Sequence, residues 1–331
     1  MGAELDQAPS QVHKRGEGKS LSQILSAPEP EERYLLKPIF ERGDKGFVVS
    51  SYKTGKTLFL TQLTLCLSSG IPFLGFEIPS PVKVVYVRFE LKDSRFRKRL
   101  DLMVNGLGGL EKVKIEPIFE LVRGFNITDE KDFRSLLNLI ETHKAEVLLL
   151  DPLYKIAPLD LKDTANAMPL IRRYDSIIEA YPDLSIITAH HMRKQRGDER
   201  DSWDSTYGPM FFFADMDFEI RIKPDHKKTL NFIFEHISND VPIDSFTFRR
   251  DPDTLLYYVP KPKDDHFKEI IDYVSKNKPT KGTLKDWMTA TFGYSRRQGK
   301  DTIGRMIKSG LLDYEGKGTR GKLIIKPVRL V

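Results

Sequence analysis

Between residues 46 and 191 short apolar runs alternate with longer stretches of helical periodicity, and this alternation constrains the fold more than any other feature. The strand-length runs are GFVVSS (46–51), VKVVYVRFE (82–90), VKIEPIFELV (113–122), AEVLLLD (145–151) and LSIITAH (184–190). Several are nearly unbroken Val, Ile and Leu, the pattern of parallel strands buried on both faces. Helices are predicted between them, over 56–69, 93–105, 130–143 and 165–181. Strand alternating with helix means βαβ units, hence an α/β fold with a mostly parallel sheet covered on both sides. After residue 191 the pattern changes. A polar stretch, MRKQRGDERDSWDS, reads as a mobile loop, and strand-like runs follow at 215–223, 229–236, 244–249 and 254–260, separated by turn signals. They predict an antiparallel extension at one edge of the sheet.

The two ends differ from this body. Residues 1–30 are polar, without sustained periodicity, and read as a flexible arm, leaving 31–260 for the α/β domain and 261–331 for a small C-terminal one. The net charge of +6 is unevenly spread: from Lys261 onward 17 Lys and Arg face 8 Asp and Glu, so the first 260 residues sum to −3. A mildly acidic body with a basic tail fits one part of the chain meeting a polyanion, or a merely solvated Lys-rich surface. One cysteine, Cys66, allows no internal disulfide, and no apolar run reaches the roughly 18–20 residues of a membrane span. A soluble cytoplasmic protein is the expectation.

Chemistry concentrates in FVVSSYKTGKTLFLTQL: an apolar strand, a short loop and an amphipathic helix. A bound triphosphate needs inward-pointing backbone N–H groups, a helix N-terminus, a lysine for the outer phosphates and a hydroxyl for Mg²⁺. Residues Ser51, Tyr52, Lys53, Thr54, Gly55, Lys56 and Thr57 form that loop, with Gly55 permitting close approach, Lys56 supplying charge and Thr57 the metal ligand. The first motif position is Ser50, where glycine is usual. Asp151, at the end of AEVLLLD, is placed to hold the metal's water, and Glu90, closing VVYVRFE, to act as general base. His190 and His191 close the fifth run, and either could sense the outer phosphate or serve as a buried, hydrogen-bonded histidine. ATP and Mg²⁺ are the expected cofactors.

The order of these features (GKT loop, strand ending in Glu, LLLDP, strand ending in HH, then a Ser/Thr-Gly segment) resembles the RecA/DnaB superfamily of P-loop ATPases, and within it the RepA-type hexameric helicases, over about residues 33–223. The resemblance implies a RecA-like core, a catalytic Glu90, a metal-shell Asp151 and a phosphate-sensing histidine at 190 or 191. It also implies a homo-oligomeric, hexameric ring whose subunit interfaces complete each ATP site through an arginine finger. The stretch expected to hold that arginine carries Asp215 and Asp217, so Arg221, with Lys223 on the same strand face, is the substitute, and Arg193 and Arg196 are further candidates.

Residues 264–331 read as three helices and a hairpin, an order similar to a winged helix. The third helix would carry Arg296, Arg297, Lys300 and Arg305 to DNA, and the turn of the wing Lys317, Arg320 and Lys322. A winged helix used for protein contact is the competing reading. The favoured function is thus a DNA helicase or DNA-translocating ATPase of a replication or mobile-element system. Two alternatives stay open: an ATP-controlled DNA-binding regulator or loader, and a KaiC-like signalling ATPase whose tail binds a protein.

Overall fold

The run KGFVVS forms β3 (Lys45–Ser50), buried from Gly46 onward, with a strand on each side of it. Both neighbours, β7 (Ser185–His191) and β8 (Phe218–Pro224), are parallel to it. The computed structural model describes residues 18–26, 33–90, 92–157, 164–191, 215–224, 230–238, 243–259, 266–292, 294, 296–308, 311–315 and 322–325. Among these, β4 (Val84–Arg88), β5 (Ile118–Leu121), β6 (Val147–Asp151), β9 (Asn231–Ser238), β10 (Phe246–Arg250) and β11 (Tyr257–Tyr258) complete a nine-stranded sheet. Its order is β11-β10-β9-β8-β3-β7-β6-β4-β5. The sheet is parallel from β8 to β5 and antiparallel from β8 outward to β11. This is the α/β, RecA-like arrangement expected from the alternation, with β7 inserted between the GKT strand β3 and the Asp151 strand β6. The run at 215–223 differs in one respect: it is antiparallel to β9 but parallel to β3, and its place beside β3 makes it interior.

Helices cover both faces. On one, α2 (Lys56–Ser69) and α3 (Asp93–Gly106) pack over Val48, Tyr86, Leu149 and Ile187. On the other, α4 (Glu130–His143), α5 (Leu153–Ile156) and α6 (Thr164–Ala180) pack over Val49, Val87, Leu148 and Leu150. Neighbouring side chains of one strand thus enter different cores, which is why these strands are apolar throughout. Every residue of α2 except Thr57 is buried, Cys66 included. Such a helix needs cover all round, and the antiparallel strands supply it. Phe59 meets Phe248 at 5.9 Å and Tyr257 at 5.8 Å between ring centroids, and the Gln62 amide holds the backbone of Tyr257 in both directions, at 2.8 and 2.5 Å. Gly46 is glycine for lack of room, since a Cβ there would stand 2.2 Å from the ring of its strand partner Phe218.

Two elements precede the sheet. β1 (Tyr34–Leu36) and β2 (Phe40–Glu41) form a hairpin, and α1 (Leu21–Leu25) is a single helical turn inside the stretch expected to be an unstructured arm. Its cause is a capping box: the Ser20 hydroxyl accepts the Gln23 N–H while the Gln23 side chain accepts the Ser20 N–H. The rest of that arm, residues 1–17 and 27–30, lies outside the described residues, as does the polar stretch after His191.

The chain divides into two compact units, Met1–Val259 and Pro260–Val331. The second contains α7 (Phe267–Asn277), α8 (Lys281–Phe292), α9 (Arg296–Lys308) and an antiparallel pair, β12 (Leu312–Glu315) with β13 (Lys322–Ile325). Ile270, Val274, Leu284, Met288, Ile303, Met306 and Leu312 form its core, with apolar positions three or four apart on each helix. Among the described residues no helix is long and apolar enough to cross a membrane.

Candidate nucleotide site

Strand register gathers the chemically active residues at one edge of the sheet. Ser50 at the end of β3 lies beside His191 at the end of β7, and Arg88 at the end of β4 lies beside Asp151 at the end of β6. In an open α/β sheet the crevice outside these carboxyl ends, where successive helices leave to opposite faces, is where ligands bind. Here α2 leaves β3 to one face and α5 leaves β6 to the other, opening a cavity of about 480 Å³.

The loop from Ser51 to Gly55 forms one wall. Gly55 has φ 104°, a left-handed conformation that a side chain would strain, and it caps α2 without a side-chain hydrogen bond of its own. A Cβ there would also meet the Tyr257 hydroxyl at 2.4 Å. Thr54 closes the loop by donating its hydroxyl to the Ser51 carbonyl at 2.8 Å. Lys56 turns back over it: Nζ donates to the Ser50 carbonyl (3.1 Å), the Ser50 hydroxyl (3.0 Å) and the Ser51 carbonyl (3.3 Å), and reaches His191 Nδ1 at 3.1 Å. Burial pushes the Lys56 ammonium down to about 8, against the attraction of Asp151 and Glu90. Burial, and then the Lys56 charge, push His191 down to about 4, so its neutral ring can accept from the lysine.

Asp151 is the other fixed point. It is buried, accepts the Tyr86 hydroxyl at 2.7 Å, and is hydrogen-bonded to the Thr57 side chain. Burial raises its carboxyl; Tyr86, Thr57 and the Lys56 charge oppose the rise. Glu90 departs from expectation. β4 stops at Arg88, Phe89 turns into the core, and Glu90 stands beyond the strand end as an exposed residue on the cavity wall. Its Oε1 accepts a short hydrogen bond from the Tyr154 hydroxyl of α5. Partial desolvation, and next the Asp151 charge, still raise its carboxyl above the usual range.

These residues suit a magnesium nucleotide. The cavity's volume lies within the range of small-molecule sites, and a side chain on Gly55 would collide with Tyr257 beside the loop. The cavity's donor set pairs a buried ammonium with the hydroxyl–carboxylate oxygens that Mg²⁺ takes. Residues 14–197, more than half of the chain, match the family AAA_25, described as an AAA domain. The chain belongs to this family. It is a P-loop nucleotide-binding ATPase. Comparison with curated proteins returns no match.

Not every candidate reaches the site of this AAA domain. Adjacent strand residues face opposite ways, so His191 lines the cavity while His190 is buried beside Phe47, at 5.5 Å between rings. Arg221 is no exposed finger. It is 6% exposed, its Nε donates to Glu219 on the same strand, and Lys223 pairs with Glu235 at 2.9 Å. Glu219 and Arg221 lie on one face of β8, and both are buried there. Arg193 and Arg196 lie outside the described residues.

In the C-terminal unit α9 carries Arg296, Arg297, Lys300 and Arg305. Lys300 and Arg305 are exposed, and Arg305 also donates to the Thr302 hydroxyl at 3.1 Å. Lys322 opens β13, while Lys317 and Arg320 lie outside the described residues.

Tyr257, Arg99 and Arg250 were not singled out from sequence, nor were Tyr86 and Tyr154, which hold Asp151 and Glu90. Ser50 replaces a glycine and holds Lys56. Tyr257 donates to the Gly55 carbonyl at 3.2 Å, and Arg99 and Arg250 line the cavity. An Asp-turn fixes Arg250 in place: Asp251 Oδ1 accepts from the backbone N–H groups of Asp253 (3.0 Å) and Thr254 (2.8 Å) and from the Thr254 hydroxyl (3.0 Å).

Proposed function

We propose that the chain is a DNA-directed ATPase of the helicase or translocase class, working as a ring-shaped homo-oligomer on Mg²⁺-ATP. The observation that carries the reading is the convergence of Lys56, Thr57, Asp151 and Glu90 on one cavity at the carboxyl edge of a RecA-like sheet. In this reading Lys56 holds the outer phosphates, Thr57 and Asp151 hold the metal and its water, and Glu90, steadied by Tyr154, takes a proton from the attacking water. Bound Mg²⁺ would neutralise phosphate charge. Neutral His191, in contact with Lys56, would register whether the lysine is engaged by phosphate.

DNA enters through the second unit. Its three-helix-and-hairpin order supports a winged helix, its excess of nine positive charges over residues 261–331 supports a polyanionic partner, and exposed Lys300 and Arg305 lie on the helix that would meet DNA. A second reading, a nucleotide-controlled DNA-binding regulator, is favoured by one observation: Arg221 and Lys223 are consumed by pairs within their own chain. Steady-state ATPase activity with and without single-stranded DNA, over a range of protein concentrations, separates the two. A motor is expected to be stimulated several-fold, steeply with protein concentration. Slow turnover unaffected by single strands, with binding to a duplex, would replace the motor with the regulator.

The buried lysine makes nucleotide binding pH-dependent. Ligand-free Lys56 loses its proton above about 8, whereas phosphate oxygens favour the ammonium and raise that value in the complex. ATP affinity is therefore expected to fall as pH rises from 8 to 9.5, by up to about tenfold per unit, with proton uptake on binding. The sign reverses for the ligand-free fold. An unfolded lysine keeps its proton up to 10.5, so between about 8 and 10.5 the unfolded chain binds more protons and this group's contribution to stability rises with pH. Calorimetric titration at pH 9 in buffers of different ionisation enthalpy measures the uptake; identical heats would exclude Lys56 as the titrating group.

A further inference from the structure

Two arginines on the wall of the nucleotide cavity have no carboxylate partner among the described residues. Arg88, nearby, is committed: it pairs with Asp93 at 2.6 Å and lies over the Phe96 ring at 3.9 Å. Arg99 of α3 and Arg250 at the end of β10 have no such ion pair among the described residues, and Arg250 lies over the Phe232 ring at 5.9 Å. Both are half-buried, both act electrostatically on the Tyr257 hydroxyl, and Arg250 is hydrogen-bonded to it. Arg250 Nε is buried without an acceptor, and Nη1 would lie 3.2 Å from a Cβ on Gly55, which places the guanidinium directly against the phosphate loop. A guanidinium withdrawn from water without a counter-ion is costly, and two of them with Lys56 around one cavity call for a polyanion.

We infer that Arg99 and Arg250 form a guanidinium pair that binds the phosphates of the nucleotide in the chain's own site. The inference rests on the ATP site proposed above and assigns a role to segments outside the motif. β10 is the second strand of the antiparallel extension, and β11, paired with it at Arg250 and Tyr257, is fastened to the phosphate loop and α2 through Tyr257 and Gln62. The extension thus contributes charge to the site that it covers. The contact is made in cis, where the family resemblance implied an arginine from a neighbouring subunit. A fork of N–H donors at each guanidinium suits phosphate oxygens better than the point charge of a lysine.

The test is calorimetric titration of the full chain with ATP, ADP and AMP, in the parent and in Arg250→Ala, Arg250→Lys and Arg99→Ala. Losing charged hydrogen bonds to phosphate is expected to weaken ATP by about 10- to 100-fold in each alanine variant, ADP less, and AMP little. Arg250→Lys should recover part of the loss, which a merely misfolded variant would not. ATP affinity within about twofold of the parent in both alanine variants would overturn the pair. An equal loss for all three nucleotides would move the arginines to the base or ribose and overturn the phosphate assignment. Recovery of binding when Arg250→Ala protein is mixed with excess Lys56→Ala protein would show the arginine acting in trans. If the parent itself fails to bind ATP, the site falls and the pair with it, an outcome distinct from a defect confined to the variants.

Discussion

Replacing Lys56 with alanine is expected to abolish ATP turnover and to weaken ATP binding by at least about 100-fold, while the ligand-free chain folds as before. The two halves of this expectation have different physical sources. Without nucleotide the ammonium bridges the Ser50 and Ser51 carbonyls, the Ser50 hydroxyl and His191. Ser50 can still donate its hydroxyl to the Ser51 carbonyl at 3.1 Å after truncation. The charge removed is one whose burial already disfavours it, so its loss offsets much of the packing lost with its stem. With nucleotide the balance inverts, because the ammonium stands at the N-terminus of α2, where the outer phosphates would sit. Charged hydrogen bonds to phosphate contribute about 1.5–3 kcal/mol each, and the lysine makes more than one. Thermal melting with and without Mg²⁺-ATP, beside a turnover assay, reads both halves at once. Intact turnover would remove the site; a collapsed ligand-free melt would make Lys56 a structural residue.

What could be read in the sequence followed the range of the forces involved. The parallel strands were legible because burial on both faces writes itself locally, as VLLLD and SIITAHH do. The helices were legible for the same reason, and α4 was expected over the residues it occupies, with Asp129 accepting two backbone N–H groups at its start. The loop was legible because its glycine, lysine and threonine are consecutive. What stayed open was decided by register and tertiary placement. Period-two alternation assigns His190 and His191 to opposite faces but does not say which one faces the cavity; the pairing of β3 with β7 does. Glu219 and Arg221 share a strand face two residues apart, a spacing that permits the internal ion pair, yet only the folded structure shows that face to be buried. The capping box at Ser20 and Gln23 was a local signal that went unused. The contribution of Arg250 and Tyr257 had no local signal: the contacts that bring them to Gly55 and Gln62 span about 195 residues, and no motif records them.

Converting Glu90 to glutamine is expected to leave ATP binding within a few-fold of the parent while slowing hydrolysis by about 10²- to 10⁴-fold, the contribution typical of a positioned general base. The amide is nearly isosteric, and its oxygen can go on accepting the Tyr154 hydroxyl, so the cavity wall keeps its shape. What changes is the capacity to accept a proton. Glu90 suits that task because of the combination that distinguishes it from Asp151. Asp151 is buried and held by Tyr86 and Thr57, which suits a fixed charge beside a metal. Glu90 is exposed at the cavity mouth, reachable by water, and its carboxyl is raised by desolvation and by the Asp151 charge, which makes the ionised form the stronger base. The parent should therefore gain activity as pH climbs through this raised value, since only the deprotonated carboxylate takes the proton, and the residual activity of the glutamine variant should lack that acid limb. A pH–rate profile under saturating ATP distinguishes this from a positional defect, which would lower the rate at every pH and preserve the limb. Turnover undiminished in the variant would pass the role of base to another group on the cavity, and with it the reason for Glu90 to stand where β4 delivers it.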